Sequence, residues 1–203
     1  MFRSSNSLLA ALLTLSLLFS RAHGLFNKKI VIGYAALTKD QADDVDDDDK
    51  IKAEGTPTGN YLGPGLYLVD SPDRLAPSQG SLFCVIRADE EKTIEAKKVY
   101  IPQSYQKKTL RGKTVQVNLW GNERAIEHYI KHEAKIDDSN DALRFSLVED
   151  KEKVQMVVPN HVVDDGELKL QTSCFESAEQ MKQFSSIDVN WSAWGILDPT
   201  TMP

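Results

Sequence analysis

Two cysteines, Cys84 and Cys174, stand 90 positions apart, each inside an apolar run, and the 203 residues hold no other thiol. A link between them would close much of the chain into one loop, so the redox compartment decides what the chain can fold into. The N-terminus speaks to that question. Arg3 precedes an apolar run from Leu8 to Phe19, and the small-residue tripeptide Ala22-His23-Gly24 follows, which is the layout of a secretory signal peptide. The run is too short to cross a bilayer of ~30 Å, and no later stretch approaches the roughly 18 to 20 apolar residues a span requires. Residues 1–24 are therefore expected to be removed, leaving Leu25 to Pro203 as a secreted chain with no membrane span. In that setting Cys84 and Cys174 are expected to form one disulfide, the alternative being two buried free thiols. Neither has a C-x-x-C metal spacing. Export also makes Asn190, in Asn190-Trp191-Ser192, a candidate glycosylation acceptor.

With 41% hydrophobic and 27% charged residues, a chain of this length builds one core, so residues 25–203 are expected to form a single domain. Thirty acidic against 24 basic residues give a net charge of -6, or -8 once Arg3 and Arg21 leave with the leader. That sign speaks against sequence-independent nucleic-acid binding through phosphate neutralisation. A soluble, acidic, monomeric protein is the expectation. Eleven Gly and eight Pro without a long low-complexity tract exclude collagen-like, mucin-like and wholly disordered chains.

Along the chain, Lys29 to Leu37 is a continuous apolar run and predicts a buried strand, after which Thr38 and Gln41 form a capping box for a short helix. Six Asp between Asp43 and Asp49, followed by Gly55, Pro57 and Gly59, predict a solvated acidic loop over 43–60. A calcium site is the functional alternative, but the D-x-[DN]-x-[DN]-G order and its terminal Glu are missing. Next comes Asn60 to Asp70, a glycine-framed turn feeding a short strand. Further strands are expected over Leu82–Ala88, Lys98–Ile101, Ala142–Val148, Val154–Val158 and Leu168–Phe175. Asn122 can cap a helix running through Ala134 with Ala125, Ile126, Tyr129 and Ile130 on one face, and Ser177 with Gln180 can box another carrying Met181 and Phe184. Strand runs broken by a few short helices predict an α+β domain with a split, mostly antiparallel sheet.

Ile30 to Asp44, taken with Leu62-Gly63-Pro64-Gly65-Leu66-Tyr67-Leu68, resembles the ADP-ribosyltransferase fold. In that family a first strand ends in a Tyr-Arg-Ala or His-Gly motif that holds NAD, and a Gly-x-Gly-[Leu/Ile]-Tyr segment stacks on the nicotinamide. Gly63, Gly65 and Tyr67 fit the second motif. With Cys84 to Asp89, Lys98 to Pro102, Ala142 to Phe145 and Val154 to Pro159, the pattern also resembles small secreted fungal effector-type proteins on this scaffold. The resemblance implies an NAD cleft built from Tyr34, Ala35, Gly63, Gly65 and Tyr67. It also implies a late-strand Glu that stabilises positive charge as the glycosidic bond breaks, and the best-placed counterpart here is Gln155.

Two departures bear on chemistry. Ala35 stands where a Tyr-Arg motif has the guanidinium that grips NAD. Gln155 can hydrogen-bond a ribose but carries no charge for an oxocarbenium-like centre. Glu149 or Glu152 would supply that charge if the register differs by a hairpin. The expectation is thus a catalytically degenerate scaffold that binds a protein partner, with a host target implied by the effector resemblance, and no cofactor. The alternative is an active mono-ADP-ribosyltransferase using NAD. Other constellations say less. His128 and His132 have an i, i+4 spacing, but Tyr129 replaces the H-E-x-x-H glutamate. His161 has no accompanying nucleophile motif. Trp120, Trp191 and Trp194 are expected in the core, with Trp191 and Trp194 on one face of a C-terminal turn.

Overall fold

The computed structural model describes residues 28–42, 61–76, 79–109, 111–147, 154–196 and 198. The leader at 1–24, the acidic segment at 43–60, and Glu149 and Glu152 lie outside the described residues. The strands are β1 (Lys29–Leu37), β2 (Gly65–Val69), β3 (Leu82–Asp89), β4 (Lys98–Tyr100), β5 (Ser104–Lys108), β6 (Thr114–Asn118), β7 (Leu143–Leu147), β8 (Val154–Pro159) and β9 (Gln171–Phe175). The helices are α1 (Glu90–Glu95), α2 (Glu123–His132), α3 (Asn160–Asp164) and α4 (Ala178–Phe184), with 3-10 turns at Pro72–Arg74 and Trp191–Trp194.

The strands divide between a seven-stranded sheet in the order β4-β7-β8-β2-β1-β3-β9 and a two-stranded ribbon, β5-β6. All pairings are antiparallel except that of β4 with β7. This is an α+β domain. β1 is apolar from Ile30 to Leu37, and its centre, Ile32 to Ala35, is buried because the strand lies inside the sheet and is covered there on both faces. On β2, Tyr67 joins the cluster built with Ile126, Tyr129 and Ile130 of α2. Leu66 and Leu68, alternating with Tyr67, join the cluster that holds Phe145, Met156 and Trp191.

The capping signals are realised. Thr38 and Gln41 bond reciprocally, the Asn122 side chain accepts from Ala125 N, and that of Ser177 accepts from Gln180 N. Cys84 and Cys174 face each other across β3 and β9 and are joined as a disulfide, which staples the edge strand to the sheet. One expectation needs correction, and a ribbon and two short helices came unannounced. The strand expected from Leu168 begins only at Gln171, because Lys169 adopts φ 49° and its N–H closes a turn onto Gly166 O. The exposed ribbon β5-β6 and the short helices α1 and α3 were not expected from the sequence. No helix among the described residues is long and apolar enough to cross a membrane.

Candidate functional site

Strand register decides which of the expected cleft residues share a face. Tyr34 lies opposite Val69, and Val69 lies opposite Gln155, so these three side chains form a row across β1, β2 and β8. Tyr67, two positions before Val69, lies opposite Val157, which in turn lies opposite Arg144 on β7. Tyr34, Tyr67, Gln155 and Arg144 therefore point to one side of the sheet. Ala35 does not. It alternates with Tyr34 and pairs with Cys84, so its side chain belongs to the opposite face.

The glycine-framed turn is packed with the protein's own groups. Tyr67 is buried; its hydroxyl donates to Gly63 O at 2.8 Å and accepts from Leu62 N at 3.1 Å. Burial pushes this phenol up to about 12, against the opposing pull of the Leu62 N–H and the Arg144 charge. Gly63 has φ +92°, and a Cβ there would overlap the Glu123 carboxylate and lie 2.5 Å from Arg144 Nη1. Gly65 is equally confined, since a Cβ would run into the Val158 carbonyl. The glycines thus serve close packing of the turn against α2, β7 and β8.

Arg144 is the centre of that packing. It is 1% exposed, and Nη1 donates to Leu62 O at 2.7 Å and to the Glu123 carboxylate at 2.9 and 3.0 Å, while Nη2 donates to Ser139 O at 3.3 Å. A buried guanidinium is tolerated only with such pairing. Sequence reasoning missed this residue. The signal was a lone Arg inside Ala142 to Leu147, a run otherwise apolar enough to be buried on both faces.

Tyr34 is fully buried, with its hydroxyl donating to Ile187 O at 2.8 Å and lying 2.9 Å from Ser185 Oγ, and burial raises its pKa. Gln155 is half-buried in the same row, next to Ser146, whose hydroxyl donates to Ile101 O and accepts from Trp120 Nε1. Trp120 is tilted against the exposed ring of Tyr61. Within this face, hydrogen-bonding groups of both tyrosines are spent internally, and the described residue at the acid's expected position is an amide.

The remaining residues fall elsewhere. Trp191 is core, with Nε1 donating to Ile32 O and its ring edge-on to Phe145; Trp194 also stands edge-on to Phe145. His128 and His132 stack at 4.3 Å, but His128 Nε2 lies 2.8 Å from Lys107 Nζ, which leaves that nitrogen engaged. Burial and the Lys107 charge lower the His128 pKa. His161 sits in α3 between Asp141 and Asp165. Asn190 and Ser192 are exposed on either side of the buried Trp191, and the Ser192 hydroxyl donates to Asn190 Oδ1.

Residues 60–199 match a family described as being of unknown function, DUF5910. No curated protein and no solved structure matches the chain.

Proposed function

The chain is a member of the DUF5910 family, a membership that names no chemistry, and we propose that it is a secreted, effector-type protein acting by binding a protein partner. In this reading its scaffold is ADP-ribosyltransferase-like but catalytically degenerate, and a host protein is the target. The observation that carries it is the state of the Leu62 to Tyr67 turn. The segment that would stack on nicotinamide instead folds onto itself: the Tyr67 hydroxyl is committed to Leu62 and Gly63, and the space above Gly63 is taken by Glu123 and Arg144.

The chemistry fails on two further counts. Gln155 brings no negative charge to a developing oxocarbenium ion, and losing one preorganised electrostatic group typically costs about 100- to 1,000-fold in rate. At position 35, even an arginine would project from the wrong face. The competing reading, an active mono-ADP-ribosyltransferase, draws support from the common face of Tyr34, Tyr67 and Gln155. It requires a carboxylate from Glu149 or Glu152. Incubating the protein with NAD and following nicotinamide release separates the two: the binding-protein reading predicts no release above the spontaneous rate. Release that Glu149→Gln or Glu152→Gln abolishes would establish the enzyme.

A further inference from the structure

The geometry points to a divalent transition-metal site of the zinc class, held by Nδ1 of His161 and the carboxylates of Asp141 and Glu167. It uses residues that the binding-protein reading does not need, and so stands apart from it. Asp141 comes from the segment leading into β7, His161 from α3, and Glu167 from the turn after α3. One ligand atom from each lies within 4.8 Å of the others.

Three observations favour a metal over a simple charge cluster. His161 Nδ1 stands 3.3 Å from Asp141 Oδ1, beyond the ~2.7 to 2.9 Å of a charge-assisted hydrogen bond. Two ligands each ~2.0 to 2.1 Å from a tetrahedral zinc would stand ~3.4 Å apart. The Asp141 side chain is 40% exposed, but its Oδ1 atom is shielded and faces His161 Nδ1 at 3.3 Å without a hydrogen bond. On the other side of the ring, Asp165 Oδ2 lies 3.5 Å from His161 Nε2, at ion-pair and not hydrogen-bond distance, where its charge favours a proton on Nε2 and leaves the Nδ1 lone pair for the ion.

The donor set selects the metal class. One imidazole with two carboxylates suits zinc, manganese or ferrous iron, whereas calcium and magnesium prefer all-oxygen shells. Three protein ligands leave a fourth position open. Asp141 and Glu167 also line a cleft of about 380 Å³, together with Lys92, Glu95 and Lys97, a space able to admit water or an anionic group.

The test is equilibrium dialysis of the metal-stripped full chain against zinc chloride, with the retained metal counted. One zinc per chain is expected. His161→Ala and Asp141→Asn should each weaken retention by roughly tenfold or more, Asp165→Asn by less, and His128→Ala not at all. Unchanged melting of the metal-free variants shows that they fold. Cobalt loading of the unmutated chain provides a second readout, with the intense visible bands of a four-coordinate site expected. Absence of retained zinc, equal retention by His161→Ala, or a cobalt spectrum no different from that of the hydrated ion would each overturn the assignment.

Discussion

At the scale of single residues, Gly63 and Arg144 carry the turn. Gly63→Ala must place a Cβ in a left-handed backbone region and into the Glu123–Arg144 pair. Strain of ~1 to 3 kcal/mol from the backbone adds to damage at a buried ion pair, so a loss of about 3 kcal/mol or more in urea unfolding is expected. The buried phenols give a second handle. Tyr67 ordinarily would titrate at 10.0 but is pushed up to about 12 by burial, so the folded chain holds this proton longer than the unfolded one. Its stabilising contribution is whole below about pH 10 and disappears as the pH climbs towards about 12. The part of the tyrosinate absorbance near 295 nm that Tyr67→Phe removes should therefore rise together with loss of the far-ultraviolet circular dichroism, instead of preceding it. Arg144 also shows where sequence reasoning stops: its partner Glu123 is 21 positions away, and only the fold brings them together.

At the scale of elements, what could be read locally was read. The Thr38–Gln41 box, the Asn122 and Ser177 caps and the apolar β1 run are each decided within a few residues. The ribbon β5-β6 was missed because Ser104–Lys108 is polar but for Tyr105 and the ribbon is mostly exposed, although Thr114–Asn118 does alternate as Thr-Val-Gln-Val-Asn. Helix α1 buries only Thr93 and is capped by the last residue of β3, which left no periodic signal. Lys169 hid another boundary, since nothing in its type announces a left-handed conformation. The disulfide matters most at this scale, because β9 is an edge strand with β3 as its sheet neighbour. Closing a loop of 90 residues contributes ~4 to 5 kcal/mol in the chain-entropy picture. The Cys84→Ala/Cys174→Ala double variant should melt roughly 10 to 20 °C lower in a thermal scan.

At the scale of the whole molecule, the sheet places Tyr34, Tyr67 and Gln155 on one face, as a nucleotide cleft would require, and then fills their surroundings with the protein's own contacts. The sequence resemblance singled out Tyr34, Tyr67 and Gln155, which share one face of the sheet. It also named Ala35, which alternation along β1 turns to the face opposite Tyr34. It could not reveal the internal use of the Tyr34 hydroxyl, which depends on Ser185 and Ile187 arriving from more than 150 positions downstream, whereas the Tyr67 hydroxyl is taken locally by Leu62 and Gly63. The central claim is that this turn is built for packing and offers no nicotinamide site. Calorimetric titration of NAD into the purified protein tests it most directly: no saturable heat is predicted, and saturable binding that weakens in Tyr67→Phe would contradict it.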